Sequence, residues 1–197
     1  MIHPIYDAKL FRIYSSPFWW KLKAETLKHS GELCRKDTLD FFSQCDKLEA
    51  ELGRKSVNEL VTKRGLGTGD VEWAMFGFSL EVLLKGIIYH RNPRYIFNGS
   101  IDYKSHKKNQ LPNVQHHDLE RLFIILNENL NYEELSCCRF LHNKMKNYRY
   151  PVPNFMHETQ ESIRVVGDIY STYKSLYERL NQIVDLYTIT GHLKTPD

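Results

Sequence analysis

The chain of 197 residues is long enough to bury the core of one domain without disulfides or a structural metal. Apolar residues make up 42% and charged residues 26%, close to the averages of soluble proteins, which excludes disordered and fibrous classes. The formal net charge of +3 is mild. It permits weak attraction to polyanions, whereas dedicated nucleic-acid binders usually carry a stronger basic cluster.

Targeting signals and disulfide patterns are both missing from the sequence. The first residues lack the basic stretch and apolar run of a signal peptide, and no window approaches the apolar length of a membrane span. None of the cysteines shows Cys-x-x-Cys spacing, so we predict reduced, buried thiols at Cys34, Cys45, Cys137 and Cys138. We therefore expect a cytoplasmic chain that makes no membrane contact.

The N-terminal region reads as two helices and a loop. Pro17 suits a first helical turn, which predicts a helix over residues 17–29 that Gly31 ends. Apolar spacing then predicts a second helix over residues 33–52. The glycine-rich stretch 64–69 has no preceding strand and no Lys-Ser/Thr after its last glycine, so we interpret it as a plain loop rather than a phosphate-cradling one.

Helical spacing of apolar residues continues through the rest of the chain. It predicts four further helices, over residues 70–90, 119–126, 132–148 and 163–187. The polar stretch 92–115 is predicted to be a loop. Because no segment alternates apolar and polar residues at period two for long enough, the fold class is an all-α antiparallel helical bundle with a long C-terminal helix. We expect one domain over 1–197, with its core at 71–187 and an N-terminal helical extension at 1–70.

Two polar groups stand beside this predicted core. Glu81 and Lys85 are four residues apart, so they sit one helical turn from each other. Asp118 is placed to cap the helix that follows it, and the adjacent His117 could lie near the Glu81–Lys85 helix. His116 and His117 would point about 100° apart on any helix, which makes joint chelation awkward. We predict no metal and no cofactor.

A third polar group lies in the predicted helix 132–148. Arg139 and His142 are three residues apart and share a helix face, a pairing suited to gripping a phosphodiester and moving a proton. The alternative interpretation is a solvated basic face. Either way, a weak and salt-sensitive interaction with RNA is open to the basic side chains of Lys104, Lys107, Lys108, Lys144 and Lys146.

Three segments carry a family resemblance: FSLEVLLKG at 78–86, HDLERL at 117–122 and YRYPVP at 148–153. In order and spacing they resemble the HEPN superfamily, the higher-eukaryote and prokaryote nucleotide-binding domains of toxin–antitoxin systems, phage defence and nucleotidyltransferase partners. The resemblance covers about 71–187. It implies a HEPN-like bundle that acts by binding a nucleotide or RNA as a homodimer. The implied residues of the binding site or polar cleft are Glu81, Lys85, His117, Asp118 and Tyr150.

Catalytic HEPN members cut RNA without metal through an Arg, four to six intervening residues, and a His. Here Arg139 reaches His142 across two residues and Arg149 reaches His157 across seven. We therefore predict a binding protein without metal-free cleavage. Two alternatives stay open: a metal-free endoribonuclease with a displaced site made by Arg139, His142 and Arg149, and a purely structural protein–protein interaction module. The surplus of aromatic residues at 17–20 and in the last helix also favours a homodimer.

Overall fold

A computed structural model describes residues 16–64, 69–97, 100–101, 111–149 and 167–189. Within them the chain is all-α, as predicted. The helices are α1 (Pro17–Leu52), α2 (Arg54–Arg64), α3 (Gly69–Arg91), α4 (Leu119–Leu126), α5 (Tyr132–Arg149) and α6 (Ile169–Ile189). A 3-10 turn at Pro93–Tyr95 and two antiparallel two-residue strands, β1 (Ile96–Phe97) and β2 (Ser100–Ile101), follow α3 within the predicted loop.

Helix α1 is one continuous helix of 36 residues, so the predicted break at Gly31 is wrong. Gly31 is buried against α3, and a Cβ atom at this position would lie 2.6 Å from the ring of Phe76. The glycine is therefore needed because the two helices approach closely, not because the chain turns. The following helix α2, which begins directly after the C-cap Gly53, was not predicted.

Helix α3 is the centre of the bundle, in contact with α1, α4, α5 and α6. Its apolar residues cover most of its circumference, which suits a helix enclosed by others. The fully buried members are Phe76, Leu80, Leu83, Leu84 and Ile87. This confirms the predicted apolar stripe of α3, except that Trp73 at the same stripe is only half-buried.

Helix α1 runs antiparallel to two of its neighbours, α3 and α6. Near one end of α1, Trp20 lies where a Cβ on Gly86 would clash, and further along Arg35 reaches back to Glu72 near the start of α3. Against α6, Lys21 binds Asp185 at 2.6 Å. These pairings confirm antiparallel packing for α1 and fix its direction against both α3 and α6.

Helix α4 confirms a prediction made from local signals. Asp118 is its N-cap, and the Asp118 carboxylate accepts a hydrogen bond from the Arg121 amide at 3.2 Å. Asn127 ends the helix in the left-handed conformation, with φ of 58°. The helix thus starts and ends where its sequence predicts, and it fixes the position of the turn before it.

Several predicted features fall partly outside the described residues. The stretch 163–166 of the predicted C-terminal helix does so, and α6 is seen from Ile169 onwards. None of the four cysteines, which all lie in the described ranges, forms a disulfide; three are buried and Cys34 is half-buried. Among the helices that can be examined, none combines the length and the apolar run that a membrane crossing requires.

Candidate functional site

Glu81 is a carboxylate in the interior of α3, with only 6% of the residue exposed. Lys85 lies one turn further along and its Nζ donates to Glu81 Oε1 at 2.8 Å. The pairing follows directly from the four-residue spacing. Lys85 is itself largely buried, so the pair lies at the boundary between the core and the solvent and retains a strong local field.

His117 joins this pair from a different part of the chain. Its Nδ1 donates to Glu81 Oε1 at 2.7 Å, so one carboxylate oxygen accepts from both the imidazole and Lys85. The bond fixes the proton on Nδ1 and leaves Nε2 as the second ring nitrogen for a ligand. Because 44% of the His117 side chain is exposed, a solute can reach the imidazole.

His142 connects α5 to the same place. Its Nδ1 donates to the backbone carbonyl of His117 at 2.9 Å, which ties the middle of α5 to the turn that precedes α4. We call the group of Glu81, Lys85, His117 and His142 the Glu81–His117 site. It is assembled from α3, α5 and the turn before α4, so its geometry depends on the packing of the whole bundle.

His116 lies next to the site and was singled out in the sequence only as a metal candidate. Burial lowers its pKa, and the nearby Arg121 and Lys85 cations lower it further, against the opposing effect of Asp118. The imidazole of His116 is therefore held in its neutral form at physiological pH. No group of three His, Cys, Asp or Glu side chains within the described ranges is arranged to hold a metal ion.

Arg139 flanks the site on the exposed face of α5. Its guanidinium donates to both oxygens of Glu120 on α4, from Nε at 2.9 Å and from a terminal nitrogen at 3.2 Å. Arg139 and His142 thus lie on neighbouring turns, as predicted, but each is bound to a different partner. Glu120 was not identified from the sequence, because its role depends on α4 packing beside α5.

Several of the remaining predicted site residues fall outside the described part of the structure. Arg149 is the last residue of α5, and its side chain is outside the described part, as are all of Tyr150 and Lys104, Lys107 and Lys108. Tyr148 is exposed and meets Phe78 edge to face, with ring centroids 6.1 Å apart. Lys144 is bound to Asp70 at the start of α3.

Comparison with known proteins adds no assignment. No protein-family model, no curated protein and no solved structure matches the chain. The HEPN resemblance therefore remains a prediction from the three short segments, and any function has to be inferred from the chemistry of the site itself.

Proposed function

We propose that the chain is a HEPN-like binding protein whose Glu81–His117 site holds a phosphate group of an RNA or a nucleotide. The observation that carries the proposal is His117, an exposed imidazole oriented by a buried carboxylate next to Lys85. A ring nitrogen fixed in this way is a directed hydrogen-bonding group at the surface. Phosphate oxygens are acceptors that such a site binds when the imidazole is protonated.

Exposed cations around the site support a phosphate ligand. Arg121 and Arg139 are both exposed, and Lys146 is exposed one helical turn beyond His142. The ion pair between Arg139 and Glu120 lies at the surface, where such pairs contribute about 1 kcal/mol or less. A phosphate can therefore take the place of Glu120 on the planar guanidinium, which suits bidentate contact with phosphate oxygens.

Fluorescence anisotropy with a labelled single-stranded RNA and with labelled ATP tests this proposal directly. We expect binding that weakens as salt is raised, since phosphate contacts release counterions. His117→Ala and Arg139→Ala should each weaken it. The matched controls are His29→Ala and Lys36→Ala, which remove one histidine and one cation from the exposed side of α1. Equal binding by all four variants would rule out the Glu81–His117 site.

A metal-free endoribonuclease is the second candidate, and one observation favours it. The Glu81 carboxylate holds the His117 ring by its Nδ1, in the way that a carboxylate orients a catalytic histidine. In such an arrangement Nε2 is the nitrogen that would exchange a proton with the substrate. Cleavage of labelled RNA in excess chelator tests this candidate. Loss of cleavage in His117→Ala, with cleavage kept in His142→Ala, would move the predicted catalytic role from Arg139, His142 and Arg149 to His117.

The biological setting and the assembly state are part of the same proposal. The HEPN resemblance supports a role in a toxin–antitoxin or phage-defence system.

Three large apolar side chains at the start of α1 support a homodimer, because they are exposed on a single chain: Phe18 at 52%, Trp19 at 37% and Leu22 at 44%. Light scattering tests it, with about twice the 23.4 kDa chain mass expected at micromolar concentration.

A further inference from the structure

The imidazole of His117 has one ring nitrogen held by the protein and the other accessible to solutes. Its Nδ1 lies 2.7 Å from Glu81 Oε1, and because a carboxylate can only accept this bond, Nδ1 keeps the proton. The lone pair of the neutral ring is therefore on Nε2. Both ring nitrogens of the neighbouring His116 are buried, whereas Nε2 of His117 is not. His117 thus presents a free lone pair at the protein surface.

The surroundings of the His117 ring favour attack by this lone pair. Positive charge develops on an imidazole when Nε2 forms a bond, and the buried carboxylate of Glu81 stabilises that charge through the Nδ1 hydrogen bond. Lys85 donates to the same carboxylate oxygen at 2.8 Å and holds it in place. His142 donates to the backbone carbonyl of His117 at 2.9 Å, which fixes the turn itself. The ring is therefore oriented before any reaction partner arrives.

Cations near the ring suit a phosphoryl group attached to Nε2. Arg121 and Lys85 lie near the neighbouring His116, and the exposed Arg139 lies near Asp118. The Asp118 carboxylate is the one acidic group next in sequence, and it accepts the amide of Arg121 as the cap of α4. A phosphoryl group carries up to two negative charges and accepts strong hydrogen bonds from such cations. The product of phosphorylation would therefore be stabilised at this position.

We propose that His117 is phosphorylated on Nε2 by a phosphoramidate, the class of donor that includes phosphohistidine side chains. The Nε2 lone pair forms a new P–N bond, and the P–N bond of the donor breaks. Its electron pair leaves on the donor amine, whose nitrogen is already protonated in the donor. The product is a phosphorylated imidazolium that keeps its Nδ1 proton in the hydrogen bond to Glu81. Because one P–N bond replaces another, the transfer needs no further energy source.

Potassium phosphoramidate, the simplest such donor, tests the proposal on the full-length protein. We expect a mass increase of one phosphoryl group that is stable in alkali and lost in acid, and a phosphorus NMR signal of the Nε2 isomer. His117→Ala should lose this modification. The matched control is His29→Ala, which removes an exposed histidine of α1 and should leave the modification unchanged. His117 should react about tenfold faster than His29, the size of effect that a carboxylate partner has on a histidine ligand.

Glu81→Gln separates the role of the carboxylate from simple accessibility. It keeps an acceptor for Nδ1 but removes the negative charge, so phosphorylation of His117 should slow by about tenfold. Circular dichroism checks that the variant is folded, and an unchanged rate in the folded variant would overturn the proposal. Phosphorylation of His142 instead, equal rates at His117 and His29, or an Nδ1 isomer would overturn it as well.

The outcome does not depend on the proposed binding of RNA, because the modification is measured on the protein alone. RNA binding that requires His117, without rapid phosphorylation of this residue, would overturn this inference and leave the proposed function standing. Rapid phosphorylation of His117 in a protein that binds neither RNA nor ATP would support the inference and overturn the proposed function.

Discussion

Helix α3 contains two buried glutamates with opposite surroundings. Glu72 is 2% exposed, and its carboxylate binds Arg35, whose guanidinium lies between the rings of Trp73 and Tyr170. Glu81 is almost as deeply buried, but its partners are Lys85 and the exposed imidazole of His117. Two glutamates on the same helix are thus paired differently, one with an arginine packed on aromatic rings and the other with a solvent-exposed histidine.

This difference indicates which charge is structural and which is available to a ligand. An arginine packed on aromatic faces holds its carboxylate with little freedom to move, so the Arg35–Glu72 pair connects α1 to α3. A histidine with nearly half its side chain exposed can contact a ligand without leaving its carboxylate. Burial of a carboxylate alone therefore does not distinguish the two positions, whereas the exposure of its partner does.

Removal of Arg35 should have the largest effect on stability. Arg35→Ala leaves Glu72 buried without its cation, and breaking such a pair costs about 3 kcal/mol. Lys85→Ala should cost less, because His117 still donates to Glu81. Urea denaturation followed by circular dichroism measures both. An equal loss of stability in the two variants would show that the two glutamates are held in the same way.

The packing around Glu72 also depends on the close approach of α1 to α3. Gly31→Ala places a methyl group against the Phe76 ring, one turn from Glu72, and overpacking of this kind costs about 1–3 kcal/mol. The gain in helix propensity from alanine offsets about 1 kcal/mol of that. Ser43→Ala, at an exposed position of the same helix, should not destabilise the fold. If the Gly31→Ala protein were more stable than the wild type, α1 and α3 would be able to move apart without losing packing energy, and the glycine would not be required at this contact.

Local parts of the fold were predictable, and tertiary parts were not. The cap at Asp118 and the Glu81–Lys85 pair follow from spacings of three and four residues along one helix. Gly31 was misinterpreted because a glycine in a helical pattern usually marks an end, while here the small residue allows contact with Phe76, which is distant in sequence. In the sequence, the only sign that Gly31 lies inside a helix is the helical spacing of apolar residues, which continues on both sides of it.

The candidate site shows the same limit. His117 and Glu81 are 36 positions apart, and their contact requires the turn before α4 to lie against α3. Arg139 and His142 do share a face of α5, as helix geometry predicts, yet Arg139 binds Glu120 and His142 binds a backbone carbonyl. Spacing along a helix fixes which side chains are neighbours, but the partners of each are chosen by the helices packed beside it.

The prediction that the protein binds RNA depends on His117, which contacts Glu81 of α3 and is exposed to solvent. We expect His117→Ala to weaken RNA binding by about tenfold, the effect of losing one hydrogen bond to a charged group. The same variant should lower the free energy of unfolding less than Arg35→Ala does, because Lys85 still donates to Glu81. Arg35→Ala, compared at a temperature where it is folded, should show the reverse pattern. Anisotropy titrations and urea denaturation of both variants would show whether binding and stability separate in this way.

The smallest expected effect is the dependence of stability on pH, which the two ends of α3 should influence in opposite directions. Burial lowers the pKa of His116 from its usual 6.5, so the unfolded chain binds more protons and stability is lost as pH falls below 6.5. Burial raises the pKa of Glu72 from 4.5 in spite of Arg35, so its contribution to stability is lost as pH rises above 4.5. His116→Gln should therefore flatten the loss of stability on acidification from neutral pH, and Glu72→Gln should steepen it. Thermal melting of the two variants at several pH values measures both slopes, and slopes that change in the same direction would contradict opposite effects of burial at the two ends.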